Sequence, residues 1–272
     1  MDMVTEKAYA KLNLTLAVLY KRMDGYHALD SLMQTVSLSD ELRIRRARRV
    51  TVTSAGMPLP WDNTVRRAAE KYRALTGYGA EIHLVKRIPA EAGLGGGSAD
   101  AAAALRGLQR LYNGLGAGPL RDLALSVGAD VPFCLRGGTA RAEGVGEILS
   151  PVLSPPLDYL IVKPSAGVST KTLFSRLPLP RKNPDTAAAL RALPEGAAAL
   201  ADRLGNALEE TAVQLVPEIG ALKRRLLEAG ALGACMTGSG SAVFGLFASA
   251  EAAEAAAKAF PDAAFRCVCR SV

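Results

Sequence analysis

The chain of 272 residues has few aromatic side chains and no long apolar run. Phe, Trp and Tyr make up 5% of it, which leaves little surface for stacking nucleic-acid bases. No segment approaches the ~20 continuous apolar residues that span a bilayer, because Asn13 and Thr15 interrupt the apolar run at 12–20. Acidic Asp2 and Glu6 stand where a signal peptide would be basic. These absences predict a cytoplasmic protein that binds neither nucleic acid nor a membrane.

Cysteine is also scarce, and its spacing does not suit a zinc site. The four cysteines are Cys134, Cys235, Cys267 and Cys269, with no Cys-x-x-Cys pair, so reduced thiols are expected. The composition, 49% hydrophobic and 22% charged, is typical of a soluble globular protein with a substantial core. A formal net charge of +7 favours an acidic partner, either nucleic acid or a small phosphorylated substrate, and the low aromatic content favours the second.

Strand and helix patterns are mixed along the chain without strict alternation, which predicts an α+β fold. Apolar and polar residues alternate over 7–19, so Lys11 and Asn13 are expected on the same side of a strand. Further predicted strands are 41–45, 50–54, 80–87 and 159–163, and predicted helices are 63–75, 98–111, 120–127, 197–215 and 217–229. A Ser- and Pro-rich change of composition at 150–156 predicts two domains, 1–150 and 151–272.

The most informative segment is Pro89–Leu105, in which four glycines lead into Ser98 and an alanine-rich helix. Glycine lets the backbone come close to a ligand, and the first turn of a helix offers unpaired N–H groups with partial positive charge. The segment therefore predicts a phosphate cradle. Its residue order differs from that of a Walker A loop and of the dinucleotide-binding loop. A flexible loop with Ser98 as an ordinary helix N-cap is the alternative.

Two other segments, Ala8–Leu14 and Thr237–Ala242, contain a lysine-bearing strand and a Gly-Ser-rich turn. Together with the glycine loop, and in this order, they resemble the three motifs of the GHMP small-molecule kinases. The resemblance spans nearly the whole chain. It implies a two-domain fold, with a ribosomal-protein-S5-domain-2-like N-terminal domain that binds ATP and an α/β-sandwich C-terminal domain. The substrate site is then expected in the cleft between the two domains.

Five short segments resemble one branch of this family, which phosphorylates an alcohol carrying cytidine diphosphate on a route to isoprenoid precursors. They are 10–14, Asp24–His27, Gly93–Ser98, Gly128–Pro132 and Glu143–Glu147. The resemblance implies an ATP-dependent kinase that uses Mg²⁺ and a small-molecule cytidine diphosphate alcohol.

The resemblance also implies roles for individual residues. Asp130 would accept the proton of the attacking hydroxyl, and Lys11 would stabilise the base and the developing alkoxide. Ser98 would complete the phosphate clamp with Mg²⁺, and Phe174 would stack on cytosine. The implied ATP-binding residues are Asn63, Lys86, Pro89, Gly93, Leu94, Gly95, Gly96, Gly97, Ser98 and Ala99. The implied substrate-binding residues are Asn13, Tyr26, His27, Thr170, Phe174, Thr237, Gly238, Ser239 and Gly240.

The residues alone leave simpler roles open. Asp130 and Asn63 could each cap a helix, Lys11 could be a solvated lysine of an edge strand, Lys86 could lie at a solvated strand end, and Phe174 could belong to the core.

The chain also departs from the family at one position, since Asn206-Ala-Leu-Glu209 stands where the family often has Asn-Asp-Leu-Glu. Two other functions stay open. One is a kinase of the same family that acts on a sugar, homoserine or a mevalonate-type alcohol. The other is a nonenzymatic basic binding protein on the same fold.

Overall fold

The computed structural model describes residues 2–272, which form two compact units built from separate stretches of the chain. The first unit contains the residues through Ala10, Leu38–Ile88 and Gly95–Gly137, and the second contains Lys11–Ser37, Pro89–Leu94 and Gly138–Val272. Strands β1 (Met3–Lys21) and β2 (His27–Ala47) contribute residues to both units. The domain boundary at residue 150 stays a prediction.

In the first unit, strands pair next to a layer of helices. Strand β3 (Thr51–Ala55) runs parallel to β4 (Gly79–Val85), and β4 is antiparallel to residues 41–47 of β2. The helices are α1 (Thr64–Thr76), α2 (Gly96–Tyr112), α3 (Ala117–Val127) and α4 (Val131–Arg136). Small buried alanines along α2 let α1, α3 and α4 pack closely against it.

The second unit contains strands of two sheets. In one, β2 pairs with β5 (Thr139–Gly144), β5 with β6 (Ile148–Val152), and β1 runs parallel to the short β8 (Gly205–Asn206). The other is antiparallel, in the order β11, β7, β10, β9, and consists of β7 (Asp158–Lys163), β9 (Gly233–Met236), β10 (Val243–Phe247) and β11 (Phe265–Arg270).

Six α-helices of the described residues belong to this unit, and its hydrophobic core lies largely between the antiparallel sheet and α8, α9 and α10. They are α5 (Thr170–Ser175), α6 (Thr186–Ala192), α7 (Ala197–Ala201), α8 (Glu209–Leu215), α9 (Glu218–Glu228) and α10 (Ala250–Ala257), with a 3₁₀ turn at Leu193–Glu195. The mixed strand and helix content confirms the predicted α+β fold class.

The predicted single helix over 197–215 is wrong. Helix α7 ends at Ala201, Gly205 and Asn206 form β8 beside Thr15 and Leu16, and α8 begins only at Glu209. A Cβ on Gly205 would lie 2.8 Å from the Cβ of Pro184, so only glycine fits at this position without a shift of its neighbour. Pairing with a distant strand therefore outweighs the local helical pattern.

Among residues 2–272, no helix combines the length and the apolar character needed to cross a bilayer. Within the same residues Cys134, Cys235, Cys267 and Cys269 are free thiols.

Candidate active site

Helix α2 begins directly after the glycine loop, and a glycine caps it. Gly95 is the N-cap residue with φ of 68°, in the left-handed region that favours glycine. Ser98 lies inside the first turn, so its reading as an ordinary N-cap is wrong. Ala99 N donates to Gly95 O at 2.8 Å, and helix geometry leaves the amides of 96–98 without an acceptor inside the helix. These amides suit an anion.

Gly96 and Gly97, the first two residues of α2, have close neighbours where a side chain would begin. A Cβ on Gly96 would lie 2.9 Å from Ile88 Cγ2 and 3.3 Å from Lys86 Nζ, and one on Gly97 would lie 3.3 Å from Thr64 Oγ1. Thr64 Oγ1 also donates to Gly97 O at 2.6 Å, which ties the start of α1 to the loop. The glycines therefore leave the backbone accessible to a ligand, and the hydrogen bond from Thr64 fixes its position, as a phosphate-binding loop requires.

Asp130 immediately precedes α4, on a segment that lies beside the start of α2. A Cβ on Gly128 would lie 3.9 Å from Ser98 Oγ. Asp130 holds the N-cap position of α4, but its side chain makes no capping hydrogen bond. Helix capping therefore does not account for this aspartate.

Asn63, in contrast, does cap a helix. Its Oδ1 accepts from Arg66 N at 3.0 Å, and its Nδ2 donates to Pro60 O at 2.9 Å. The guanidinium of Arg66 lies 3.9 Å from the ring centroid of the exposed Trp61. A contact between Asn63 and adenine stays a prediction.

Lys86 is not at a solvated strand end, because it is buried between two carboxylates that sequence patterns did not single out. Its Nζ donates to Asp40 Oδ2 at 2.5 Å and to Asp100 Oδ2 at 2.8 Å, and none of the three side chains is more than 7% exposed. Burial acts to lower the pKa of Lys86, but the two carboxylates outweigh it and raise that pKa. Lys86 is therefore a charged lysine whose nearest partners are acidic.

Lys11 and Asn13 lie side by side on β1, 3% and 2% exposed, so the solvated edge-strand reading of Lys11 is wrong. Lys11 Nζ donates to Asn13 Oδ1 at 2.5 Å, and Asn13 Nδ2 donates to Ser31 Oγ at 2.8 Å. Ser31 Oγ in turn donates to Thr15 O at 2.5 Å. A buried ammonium needs such partners, and this chain of hydrogen bonds fixes its position.

The Gly-rich turn 237–240 and the start of the glycine loop contact the same strand. Asn13 N donates to Thr237 Oγ1 at 3.0 Å. A Cβ on Gly238, whose φ is 55°, would lie 3.0 Å from Lys11 Nζ and 2.6 Å from Gly93 O. A Cβ on Gly93 would collide with Thr237 O. The structure therefore brings parts of all three motifs together within the second unit.

Asn206 holds this turn in place. Its Nδ2 donates to Met236 O and to Gly238 O, each at 2.8 Å. Glu209 Oε2 accepts from Met236 N at 2.8 Å. Ala207, where the family often has Asp, is buried in the hydrophobic core. The flanking Asn and Glu thus have structural roles here, while Ala207 serves packing.

His27 and Phe174 stack on each other, with ring centroids 4.8 Å apart and an interplanar angle of 28°. Thr170 lies one turn before Phe174 on α5, and its Oγ1 is 2.7 Å from Ser239 Oγ in the Gly-rich turn. Burial, with a smaller effect from the charge of Lys21, lowers the pKa of His27 and favours a neutral imidazole. Four of the predicted substrate residues, His27, Phe174, Thr170 and Ser239, therefore form a series that leads to the 237–240 turn beside Lys11.

Five predicted site residues remain, and two of them make backbone hydrogen bonds in the glycine loop and in the 237–240 turn. Leu94 O accepts from Lys11 N at 3.0 Å, and Gly240 N donates to Thr237 O at 3.0 Å with a φ of 82° at Gly240. Ala99 is buried in α2, Pro89 is half-buried, and Tyr26 is exposed.

Two family models match this chain. The GHMP kinases N terminal domain matches residues 63–138, and the GHMP kinases C terminal domain matches residues 186–266. The fold, the glycine loop before α2 and these matches together define a GHMP kinase.

Two relatives and one solved structure narrow this class. The 4-diphosphocytidyl-2-C-methyl-D-erythritol kinase of Pelotomaculum thermopropionicum is 49% identical, over 92% of this chain and 91% of the relative. That of Moorella thermoacetica is 45% identical, over 93% of each. A crystal structure of 4-(cytidine 5'-diphospho)-2C-methyl-D-erythritol kinase matches with a TM-score of 0.87 and 37% identity, covering 98% of this chain and 99% of that one. The chain belongs to the 4-diphosphocytidyl-2-C-methyl-D-erythritol kinase family, whose members are ATP-dependent small-molecule kinases.

Proposed function

We propose that this chain transfers the γ-phosphoryl group of ATP to the 2-hydroxyl of 4-diphosphocytidyl-2-C-methyl-D-erythritol, in the methylerythritol phosphate route to isoprenoids. The observation that carries the proposal is that strand β1, the start of the glycine loop and the 237–240 turn contact one another around Lys11. The chain is also 45–49% identical to two relatives named 4-diphosphocytidyl-2-C-methyl-D-erythritol kinase. Phosphoryl transfer needs positioning, charge neutralisation and a proton acceptor.

The glycine loop would hold the phosphates of ATP. The amides of 96–98 and the positive end of the α2 dipole offer donors and charge to an anion. Ser98 Oγ, together with phosphate oxygens, suits Mg²⁺, which prefers oxygen ligands and takes few of them from protein. Mg²⁺ would supply neutralisation of phosphate charge. Pro89, Gly93 and Leu94 shape the entry to the loop.

Asp130, at the start of α4, would act as general base on the 2-hydroxyl, the role that the family resemblance implies for it. Lys11 would stabilise negative charge on the attacking oxygen. Asn13 accepts a hydrogen bond from the ammonium of Lys11 and donates one to Ser31. These bonds hold the ammonium in place before the substrates bind.

The stacked His27 and Phe174 would receive the cytosine ring. A base is apolar on its faces and hydrogen-bonding on its edges, so an aromatic ring with a neutral imidazole matches both. Tyr26, Thr170 and the turn 237–240 would contact the rest of the alcohol. Binding energy from this remote end would then position the hydroxyl.

ADP release in the presence of ATP, Mg²⁺ and single alcohols tests the proposal. We expect turnover with the intact cytidine diphosphate alcohol and little with its truncated phosphate, homoserine, mevalonate or galactose. Faster turnover of homoserine, mevalonate or galactose would instead indicate another kinase of the same superfamily. ATP binding without turnover of any of them would favour the nonenzymatic binding protein.

A further inference from the structure

Glu91 lies at the entry to the glycine loop, within the second unit, and its backbone has an unusual conformation. Its φ is 49°, and among residues 2–272 the only other residue besides glycine with a positive φ is Asn113, at the end of α2. Side chains are disfavoured in this region, so such a conformation persists where the surrounding contacts hold it. One of these contacts is the hydrogen bond that Glu91 O accepts from Ser241 N at 3.1 Å, just after the 237–240 turn.

The side chain of Glu91 lies over Gly167. A Cβ on Gly167 would lie 2.8 Å from Glu91 Cβ and 2.2 Å from Glu91 Oε2, and its three nearest atoms all belong to Glu91. The φ of Gly167 is not in the left-handed region, so its backbone does not require glycine. The space that Glu91 fills accounts for the glycine at this position, and the two residues are therefore in direct contact.

The segment 164–168, which contains this glycine, is also held from other sides. Ala166 O accepts from Ser241 Oγ at 2.5 Å and from Lys163 Nζ at 3.4 Å. Lys163 is buried, and burial lowers its pKa, while the negative charge of Glu91 acts in the opposite direction. Glu91 therefore supports the segment through contact with its glycine and through attraction to the buried ammonium next to it.

This segment leads directly into the alcohol side of the site. Ser169 follows it and caps α5, the helix that carries Phe174. The position of α5 therefore depends on the position of 164–168. The phosphate-binding end of the glycine loop is fixed separately, because Thr64 Oγ1 donates to Gly97 O at 2.6 Å.

We propose that Glu91 is a positioning residue for the alcohol substrate. Its side chain holds the 164–168 segment, and through it α5 and Phe174, in the arrangement that receives the cytidine end of the alcohol. The inference rests on the proposed function, since it takes Phe174 as part of the alcohol site. Loss of the side chain weakens binding of the alcohol and leaves binding of ATP unchanged.

Steady-state kinetics of the full chain test this, with the KM for each substrate measured at a saturating concentration of the other. Glu91→Gly removes the side chain and suits the left-handed backbone, whereas Glu91→Gln keeps the size of the side chain. Asn113→Gly is a matched control, because it makes the same change at the other left-handed position, in the first unit. Gly167→Ala, alone and combined with Glu91→Gly, tests the contact itself.

Glu91→Gly should raise the KM for the cytidine diphosphate alcohol at least about fivefold, the lower end of what stacking of a base on an aromatic ring contributes. The KM for ATP should not change. Glu91→Gln and Asn113→Gly should stay close to wild type. Gly167→Ala should also raise the KM for the alcohol, but it should add nothing in the Glu91→Gly background, where its Cβ has room.

Three results would overturn the inference: a wild-type KM for the alcohol in Glu91→Gly, an equal rise of both KM values, or additive effects of Glu91→Gly and Gly167→Ala. If Glu91→Gly does not fold, Glu91→Asn provides the same comparison, because its shorter side chain tolerates the left-handed region. Absence of turnover of the alcohol by wild type would instead contradict the proposed function.

Discussion

Replacement of Phe174 by alanine tests the cytidine side of the site. Phe174 is half-buried, packs on the hydrophobic core of the second unit and stacks on His27 at 4.8 Å. The substitution removes the ring face on which cytosine would stack, and it also removes part of the packing. The two effects are measured by different experiments, so they can be separated.

The expected magnitudes follow from these contacts. Stacking of a base on an aromatic ring contributes ~1–3 kcal/mol, which corresponds to a loss of roughly 5- to 150-fold in kcat/KM for the cytidine diphosphate alcohol. The free energy of unfolding should fall by ~2 kcal/mol, because a half-buried Phe loses about half of the 3–5 kcal/mol of a fully buried one. The KM for ATP should not change.

Steady-state kinetics on wild type, Phe174→Ala and the control Phe174→Tyr measures the first effect, with the intact alcohol and with its phosphate lacking cytidine. Phe174→Tyr keeps the ring and should stay close to wild type. The truncated alcohol should be a very poor substrate for all three proteins. Equal kcat/KM of wild type and Phe174→Ala on the intact alcohol would refute the stacking role.

Four other substitutions, one of them with a control variant outside the site, probe separate parts of the site. Asn206→Ala leaves two backbone carbonyls of the 236–238 segment without their donor, so urea unfolding should show a loss of ~2–4 kcal/mol and the KM for the alcohol should rise. Lys86→Met leaves two buried carboxylates unpaired and should cost ~3–5 kcal/mol, whereas Arg45→Met, in an exposed pair, should cost at most ~1 kcal/mol. Burial lowers the pKa of His27 in the folded protein below the value of about 6.5 in the unfolded chain. Below about pH 6.5 the unfolded chain therefore binds a proton more readily, and the folded protein loses stability. His27→Gln lacks this titration and should lose less unfolding free energy than wild type between about pH 7 and 5. Asp130→Asn should lower kcat by ~10²–10⁴ with ATP and alcohol affinities within about tenfold, and a variant that keeps more than about a tenth of wild-type kcat would remove Asp130 from the base role.

Local sequence signals predicted the elements whose ends are set by local chemistry. Asn63 and Gly77 bound α1 as cap and stop, and Asn113 ends α2 in the left-handed conformation. The alternation over 7–19 also placed Lys11 and Asn13 on one side of β1, where they are hydrogen-bonded.

Features that depend on distant partners were not predictable in this way. The break at Gly205 is set by pairing with β1, about 190 positions earlier in the chain. From the local sequence, Lys86 is expected at a solvated strand end. Its burial depends on Asp40 of β2 and Asp100 of α2, which lie beside it only in the folded chain. An aspartate within the alanine-rich tract of α2 was the one available signal, since such a tract indicates a buried helix.

The most direct test of the account is the position of the new phosphate in the product. Wild-type protein would be incubated with ATP, Mg²⁺ and the intact cytidine diphosphate alcohol, and the product examined by ³¹P and ¹³C NMR. One new phosphomonoester should appear, coupled to the carbon that carries the methyl branch, with one ADP formed per product. A phosphate on another carbon, or ADP formed equally fast without the alcohol, would contradict the proposed reaction.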